Sequence, residues 1–301
     1  MLPAARIIDD AKQIAKVRGF DDQALDQLNA ILSDLCQTTD LALARGLFEF
    51  DFNPSLTSLF GSGPYNLPLD YLRTSGSSGA RGVTRSAWYL YPAPEFPSGQ
   101  PIFMTPIDLA EFDLFPKLSS QSTPELWCTD MGGPLTQRIV SSGAVALTLN
   151  STTATPVSMT GLVANLGVAG EGIEPGTRIS SVGATTIVLS IAATATLSAA
   201  SCFFGIAPVA YVYPAPESNY PVSVRYQRWM PPILDDSKYP WFPNDGFLID
   251  KLAAKLMAFS DDAREDMRDA KAQRELGRYL GFADDKTNRA QQVSLDGRMY
   301  G

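Results

Sequence analysis

The segment YLYPAPE at residues 89–95 returns as YVYPAPE at residues 211–217, with one aliphatic exchange between the copies. In each copy Tyr-x-Tyr puts two aromatics on one face of a strand, because side chains alternate with period two. Pro-x-Pro then stops that strand, since proline lacks a pairing donor and fixes φ. Each copy is therefore a strand end with a stiff exit, and a return strand, residues 222–226, follows the second one closely. This pattern predicts two similar β-hairpins in one sheet or sandwich. A proline-rich ligand for an SH3-type groove is the rival reading, but an exposed linear motif has no use for the strand aromatics.

Between the copies lies a different kind of sequence. Residues 133–206 carry only Arg138, Glu171, Glu174 and Arg178 as charges, and are otherwise mostly Thr, Ser, Ala, Val, Leu and Gly in short alternating runs. Candidate strands are 144–149, 161–164, 178–182 and 185–190, punctuated by GVAGEGIEPGT and a turn at Gly183. The prediction is a small all-β, Ig-like module inserted between the hairpins. Lacking clustered aromatics and convergent polar groups, it suits surface decoration or neighbour contact better than a small-molecule site.

The chain ends have helical period. Ile7, Ile8, Ala11, Ile14 and Ala15 form one stripe, and Leu25, Leu28, Ile31, Leu32 and Leu35 a second. Gly19 is the stop between them, and an aspartate at 21–22 caps the second helix. From Leu47 to Phe52 the period changes to two, a half-buried strand ended by Asn53 and Pro54. The Gly/Ser cluster at 75–82 lacks the G-K-[ST] ending of a phosphate loop and reads as a turn. Trp88, Tyr89, Tyr91, Ile102 and Phe103 predict a strand, a proline-rich connection and another strand. A helix begins near Asp245, with Phe247, Leu248, Leu252, Ala253, Leu256 and Met257 on one face. Ser260, Asp261 and Asp262 cap a second helix that Gly281 closes, and its charges, Arg264, Glu265, Arg268 and Glu275, read as a solvated face. Residues 284–301 hold too few apolar anchors to fold alone and form a C-terminal arm.

The resulting fold class is α+β. N- and C-terminal helices (1–45 and 245–283) form a helical bundle, residues 46–132 and 207–244 an antiparallel β-sheet or sandwich domain, and 133–206 the inserted module. A chain of 301 residues, 45% hydrophobic and 19% charged, has material for more than one core. It has no run of ~18 apolar residues, so no membrane segment is expected. The acids and amides of MLPAARIIDDAKQIAKV do not make a signal peptide, which predicts synthesis in the cytosol. Cys36, Cys128 and Cys202 are odd in number and share no C-x-x-C spacing, so they read as buried thiols rather than a zinc or disulfide framework.

A net charge of −8 argues against broad neutralisation of nucleic-acid phosphates. There is no histidine, which removes Ser-His-Asp and Cys-His catalysis and histidine metal sites. Carboxylate-pair chemistry survives in principle, but the acids sit mainly in helical and turn patterns. No catalytic residue, cofactor or metal ligand is therefore expected.

Several blocks together carry a resemblance. They are ARIIDDAKQIAKVRGFDDQALDQLNAILSDL, FEFDFNPSL with GSGPYNLPLDYLR, YVYPAPESNYPVSVRYQRWMPPI, PWFPNDGFLIDKLAAKLMAFSDD, and RYLGFADDKTNRAQQVSLDGRMYG. They resemble tailed-phage head-to-tail adaptor proteins of the podovirus tail tubular protein A group. The likeness covers both ends and much of the middle but not 133–206, a departure from shorter members. It implies a structural virion protein in the neck or tail, made in the host cytoplasm. It further implies a homo-oligomeric ring, generally of twelve copies, between the portal protein and the tail or nozzle proteins, with DNA passing through the lumen without sequence-specific binding. An acidic channel lining would repel the DNA backbone and avoid stalling it. Arg289, Asp296, Arg298, Met299 and Tyr300 lie in the matched tail, and the resemblance implies that they dock on the portal or an adjacent subunit. Trp241, Phe242 and Pro243 match the segment entering the helices, where core packing is the simpler role. Two other classes remain open on the residues alone: a receptor- or carbohydrate-binding tail β-protein built on the insert, and a tail enzyme with paired acids in a cleft.

Overall fold

The computed structural model describes residues 1–17, 19, 21–39, 41–54, 57–58, 61–74, 88–90, 102–115, 121–132, 138–230, 232–233, 236–259 and 262–296, with backbone alone at 21–22, 42, 57–58, 61–62, 89 and 281–296. The Gly/Ser cluster at 75–82 and the PAPE of the first heptapeptide lie outside these residues. The protein is mixed α+β and divides into two compact units, Met1–Thr39 with Met230–Gly301, and Asp40–Trp229.

The first unit contains α1 (Ala4–Ala15), α2 (Asp21–Thr38), α4 (Asp245–Ala258) and α5 (Glu265–Asp296). Helix α1 buries Ala4, Ile7, Ile8, Ala11 and Ala15, the predicted stripe with Ala4 in place of Ile14. Each fully buried isoleucine there is worth ~1.5–3 kcal/mol. The helix stops at Lys16 rather than at Gly19. Lys16 adopts the left-handed conformation (φ 57°), and the Lys16 and Val17 amides donate back to the Gln13 and Lys12 carbonyls. This is a Schellman closure on a lysine.

Helix α4 is apolar nearly all round, burying Phe247, Leu248, Leu252, Ala253, Ala254, Leu256 and Met257, and it packs on α1, α2 and α5. A helix buried on every side is a central one. Its start is capped by Asn244, whose side chain accepts from the Phe247 amide at 3.0 Å. The segment leading into α4 belongs with the helices. Asn29 of α2 clamps Ile233 by accepting its amide at 2.8 Å and donating to its carbonyl at 3.0 Å. The Ala4 and Ala5 amides donate to the Lys238 and Asp236 carbonyls at 2.9 and 2.7 Å. Phe242 is fully buried edge-on against Phe247 and Tyr279, the packing role expected for it.

Two expectations at the C-terminus change. Gly281 does not close the second helix: α5 runs on to Asp296, so the first part of the expected arm, through 296, is helical. A mid-helix glycine costs only ~1 kcal/mol against alanine, and Ala283, Lys286, Arg289, Ala290, Gln291 and Gln292 are good helix formers.

Among the described residues the second unit holds three sheets and the short helix α3 (Leu109–Phe112). The first sheet joins β1 (Arg45–Phe52), β16 (Tyr220–Arg228), β5 (Trp88–Leu90) and β6 (Ile102–Phe103), with β4 (Tyr71–Thr74) also on β16. The second orders β2 (Thr57–Ser58), β3 (Gly61–Asn66), β15 (Val209–Tyr213), β8 (Leu126–Asp130) and β7 (Thr105–Pro106). Among the described strands every pairing is antiparallel except that of β7 with β8. The two sheets share one core, with Phe52, Trp88, Val222 and Val224 from the first and Tyr65, Trp127, Ala210 and Val212 from the second. Trp88 and Trp127 stack across it with centroids 4.4 Å apart and planes 15° apart.

The two heptapeptide strands lie in facing sheets of one sandwich, and the second does not form the expected hairpin with its successor. The first copy's strand, β5, pairs with β6 in the first sheet, whereas the second copy's strand, β15, lies in the second sheet and its successor β16 crosses to the first. Period two still governs β15: Ala210 and Val212 fill the core, and Tyr211 and Tyr213 turn outward onto Phe112 and Phe115.

The third sheet is the insert, ordered β11 (Gly167–Gly170), β14 (Leu197–Gly205), β9 (Ile139–Leu147), β10 (Thr153–Pro156), β13 (Ile187–Leu189) and β12 (Ile179–Val182). Residues 161–164, expected as a strand, are not one. Gly161 (φ 76°) and Asn165 (φ 70°) take left-handed conformations that break extended pairing there. The insert has its own core of Val145, Leu147, Ile179, Ile187, Leu189, Cys202 and Phe204. It hangs from the end of one hairpin, because β8 and β15 pair directly, Asp130 opposite Val209, and the Ile206 amide donates to the Arg138 carbonyl at 2.9 Å. Its outer side rests on the sandwich through Ala169 and Phe203 against Leu69, with Phe203 edge-on to Trp229.

Candidate functional site

Helix α5 is fastened to α4 by charge as well as by apolar contact. Asp250 of α4 is buried, and Arg268 Nη1 and Lys271 Nζ converge on its two oxygens at 2.9 and 2.7 Å. Lys251 pairs with Asp269 alongside. Before α5, Asp262 accepts from the Arg264 amide at 3.0 Å and from its guanidinium, which holds the Asp262 carboxyl down at about 2. Arg268 is thus not part of a purely solvated face: the buried carboxylate draws it inward, because a charge out of water needs a partner.

The same anchoring leaves an outer basic face on α5. Met267, Lys271, Arg274 and Arg278 are exposed and recur at helical spacing, and with Arg268 and Glu275 they line a depression of about 440 Å³. Arg278 also meets Glu275 at 2.9 Å, but remains 72% exposed. Helix α2 offers the opposite character. Its sequence DDQALDQLNAILSDLCQT contains four aspartates and no lysine or arginine, and Asp26 and Asp34 are exposed with the exposed Ala30 midway between them.

Of the sequence-expected contact residues, Arg289 and Asp296 lie on α5, whereas Arg298, Met299 and Tyr300 fall outside the described residues. Arg289 is five turns beyond Lys271, and Asp296 five turns beyond Arg278, so the backbone sets them in line with the basic face. The sequence reading missed this face by taking its charges as mere solvation. The signal was the cation spacing 268, 271, 274, 278.

The second unit holds a buried polar cluster where the insert meets the sandwich. Asp70 is buried, and accepts from the Tyr226 hydroxyl at 3.0 Å and Arg228 Nε at 2.6 Å. Burial and then the Asp70 charge push the Tyr226 phenol far up. Burial lowers Arg228, but the charge and hydrogen bond of Asp70 outweigh it and leave Arg228 raised. Nearby, burial pushes Tyr71 up to about 12 against the hydrogen bonds of Thr74 and Trp88. In the insert, burial and the charge of Glu171 push the Cys202 thiol up to about 12. Burial thus keeps Tyr226 and, in the insert's core, Cys202 protonated at neutral pH.

Cys36 and Cys128 are buried thiols as well. Among the described residues there is no group of three or more Cys, Asp or Glu placed to hold a metal ion, and no helix long and apolar enough to cross a membrane. Comparison with known protein families and with curated proteins returns no match to this chain.

Proposed function

We propose that the chain is a structural head-to-tail adaptor of a tailed-phage virion. In this reading it forms a ring, generally of twelve copies, seated on the portal, contacting tail or nozzle proteins and surrounding the DNA channel. It is made in the host cytoplasm and ends in the neck of the particle, and it has no catalytic role. The observation that carries the reading is the junction of both chain ends in one helical unit, with α4 at its centre and a 32-residue α5 on its flank. At 1.5 Å per residue α5 is ~48 Å long and α4 ~21 Å, so α4 can cover less than half of it. A helix of that reach, continuing into the block that resembles the adaptor tail, is suited to docking on a neighbour or a portal. We read the first unit as a helical bundle and residues 139–205 as an Ig-like module that decorates the ring.

A net charge of −8 suits a channel that lets DNA pass without gripping it. The test is negative-stain electron microscopy of the purified chain, alone and mixed with the portal ring from the same source. The expected result is a ring stacked coaxially on the portal. Folded monomers that ignore the portal would overturn the adaptor reading and favour a receptor- or carbohydrate-binding role for the insert.

A further inference from the structure

We infer that neighbouring copies join head to tail, with the basic face of α5 in one copy docked on the acidic face of α2 in the next. This deepens the adaptor reading and rests on it. The argument starts from α4, which packs on α1, α2 and α5 and is buried on nearly every side. Helices α2 and α5 therefore flank a shared core and turn separate outer faces to solvent. One outer face carries Asp26 and Asp34 and belongs to a helix with no cation; the other carries Lys271, Arg274 and Arg278.

The spacing fits. Asp26 to Asp34 spans eight residues, ~12 Å along the helix, and the stretch from Met267 to Arg278, which carries the exposed Arg274 and Arg278, spans eleven, ~16.5 Å, so the acidic stretch fits within the basic one. Ala30, midway between the aspartates, leaves room for the exposed Met267 at the edge of the basic face. Each face repels its own copy, which disfavours a two-fold dimer through either one. Two complementary faces on different sides of one unit make a heterologous contact, the kind that closes into a ring.

The test uses the full chain and reads assembly by mass photometry and sedimentation at low salt. Arg274→Glu with Arg278→Glu reverses one face, and Asp26→Arg with Asp34→Arg reverses the other; all four sites are exposed, and far-UV circular dichroism checks the helices. Each face variant is expected to need at least about tenfold more protein to assemble. The four-fold variant, in which the two faces are again opposite in sign while Lys271 stays with Asp250, is expected to assemble within about threefold of the wild type. If either face variant assembles like the wild type, or if the folded four-fold variant stays dispersed, this pairing is wrong and the adaptor reading stands on its own. A wild-type chain that forms no ring, alone or on the portal, overturns both.

Discussion

Replacing Asp70 with alanine tests how the sandwich is fastened beneath the insert. In the folded protein this carboxylate is 4% exposed and receives one bond from Tyr226 and one from Arg228. Hydrogen bonds to a charged group are worth ~1.5–3 kcal/mol each, so the gross loss lies between ~3 and ~6 kcal/mol. The Arg228 side chain is 36% exposed, so once released it recovers part of its hydration. Tyr226 is fully buried and recovers none. The net cost for Asp70→Ala is then about 3 kcal/mol, against a total domain stability of only ~5–15 kcal/mol.

Urea unfolding read by tryptophan fluorescence is the assay, since Trp88, Trp127 and Trp229 all lie in this unit. With a slope of ~2 kcal/mol per molar urea the midpoint should fall by ~1.5 M. Asp70→Asn keeps an acceptor for Tyr226 while removing the charge, so its loss should be about half as large. A midpoint for Asp70→Ala within ~0.3 M of the wild type would refute the reasoning, as would an Asp70→Asn loss equal to that of alanine.

Alkaline pH should weaken the protein through Tyr71. Burial raises its folded pKa to about 12 from the ordinary 10.0 of a tyrosine. Its contribution is thus complete below pH ~10 and lost as pH climbs through ~12, about 3 kcal/mol in all, and Tyr226 adds in the same direction. Tyr71→Phe should flatten the stability profile above pH ~10, and parallel profiles would refute the assignment. In the helical unit, Asn29→Ala removes both bonds to Ile233 and should cost ~2 kcal/mol, read as roughly thirtyfold faster hydrogen exchange at the Ile233 amide. An unchanged exchange rate there would show that the clamp contributes nothing. Gly205→Ala would place its new methyl 2.3 Å from the Arg138 carbonyl oxygen, forcing β9 and β14 apart. Thermal unfolding should register a loss of ~1–3 kcal/mol, and an unaltered melting curve would mean that the strands yield freely.

Local pattern was enough wherever one side chain set faces one core. The alternation from Leu47 to Phe52 is strand β1, and the stripe from Phe247 to Met257 is α4. It failed where burial is two-sided. In β14, Ala200, Cys202 and Phe204 point into the insert's core while Phe203 is buried against the sandwich, so LSAASCFFG lacks the alternation that announces a strand. Partner choice was equally hidden. The strands that open the two Tyr-x-Tyr-Pro-x-Pro segments, β5 and β15, lie in different sheets because pairing is decided by residues far away in sequence. Asp70 shows the same limit: nothing in LPLDYL marks it as the acceptor for a tyrosine 156 residues on. The basic face of α5 was legible as spacing, but that Asp250 draws Arg268 and Lys271 to itself while Arg274 and Arg278 stay exposed required the helix to be seen against α4.

The attachment of the insert makes that stretch exchangeable. Because β8 and β15 are already hydrogen-bonded neighbours, the chain from 131 to 208 is topologically no more than a very long hairpin loop. A few turn residues could bridge Asp130 and Val209 without altering any other strand. What such a deletion would uncover is apolar, namely Leu69 and Trp229 beneath Phe203. A shortened chain would therefore need polar residues at 69 and 229 to stay soluble, whereas a grafted module need only bring its own Phe203 equivalent. The surface of the second unit could thus be changed by cassette.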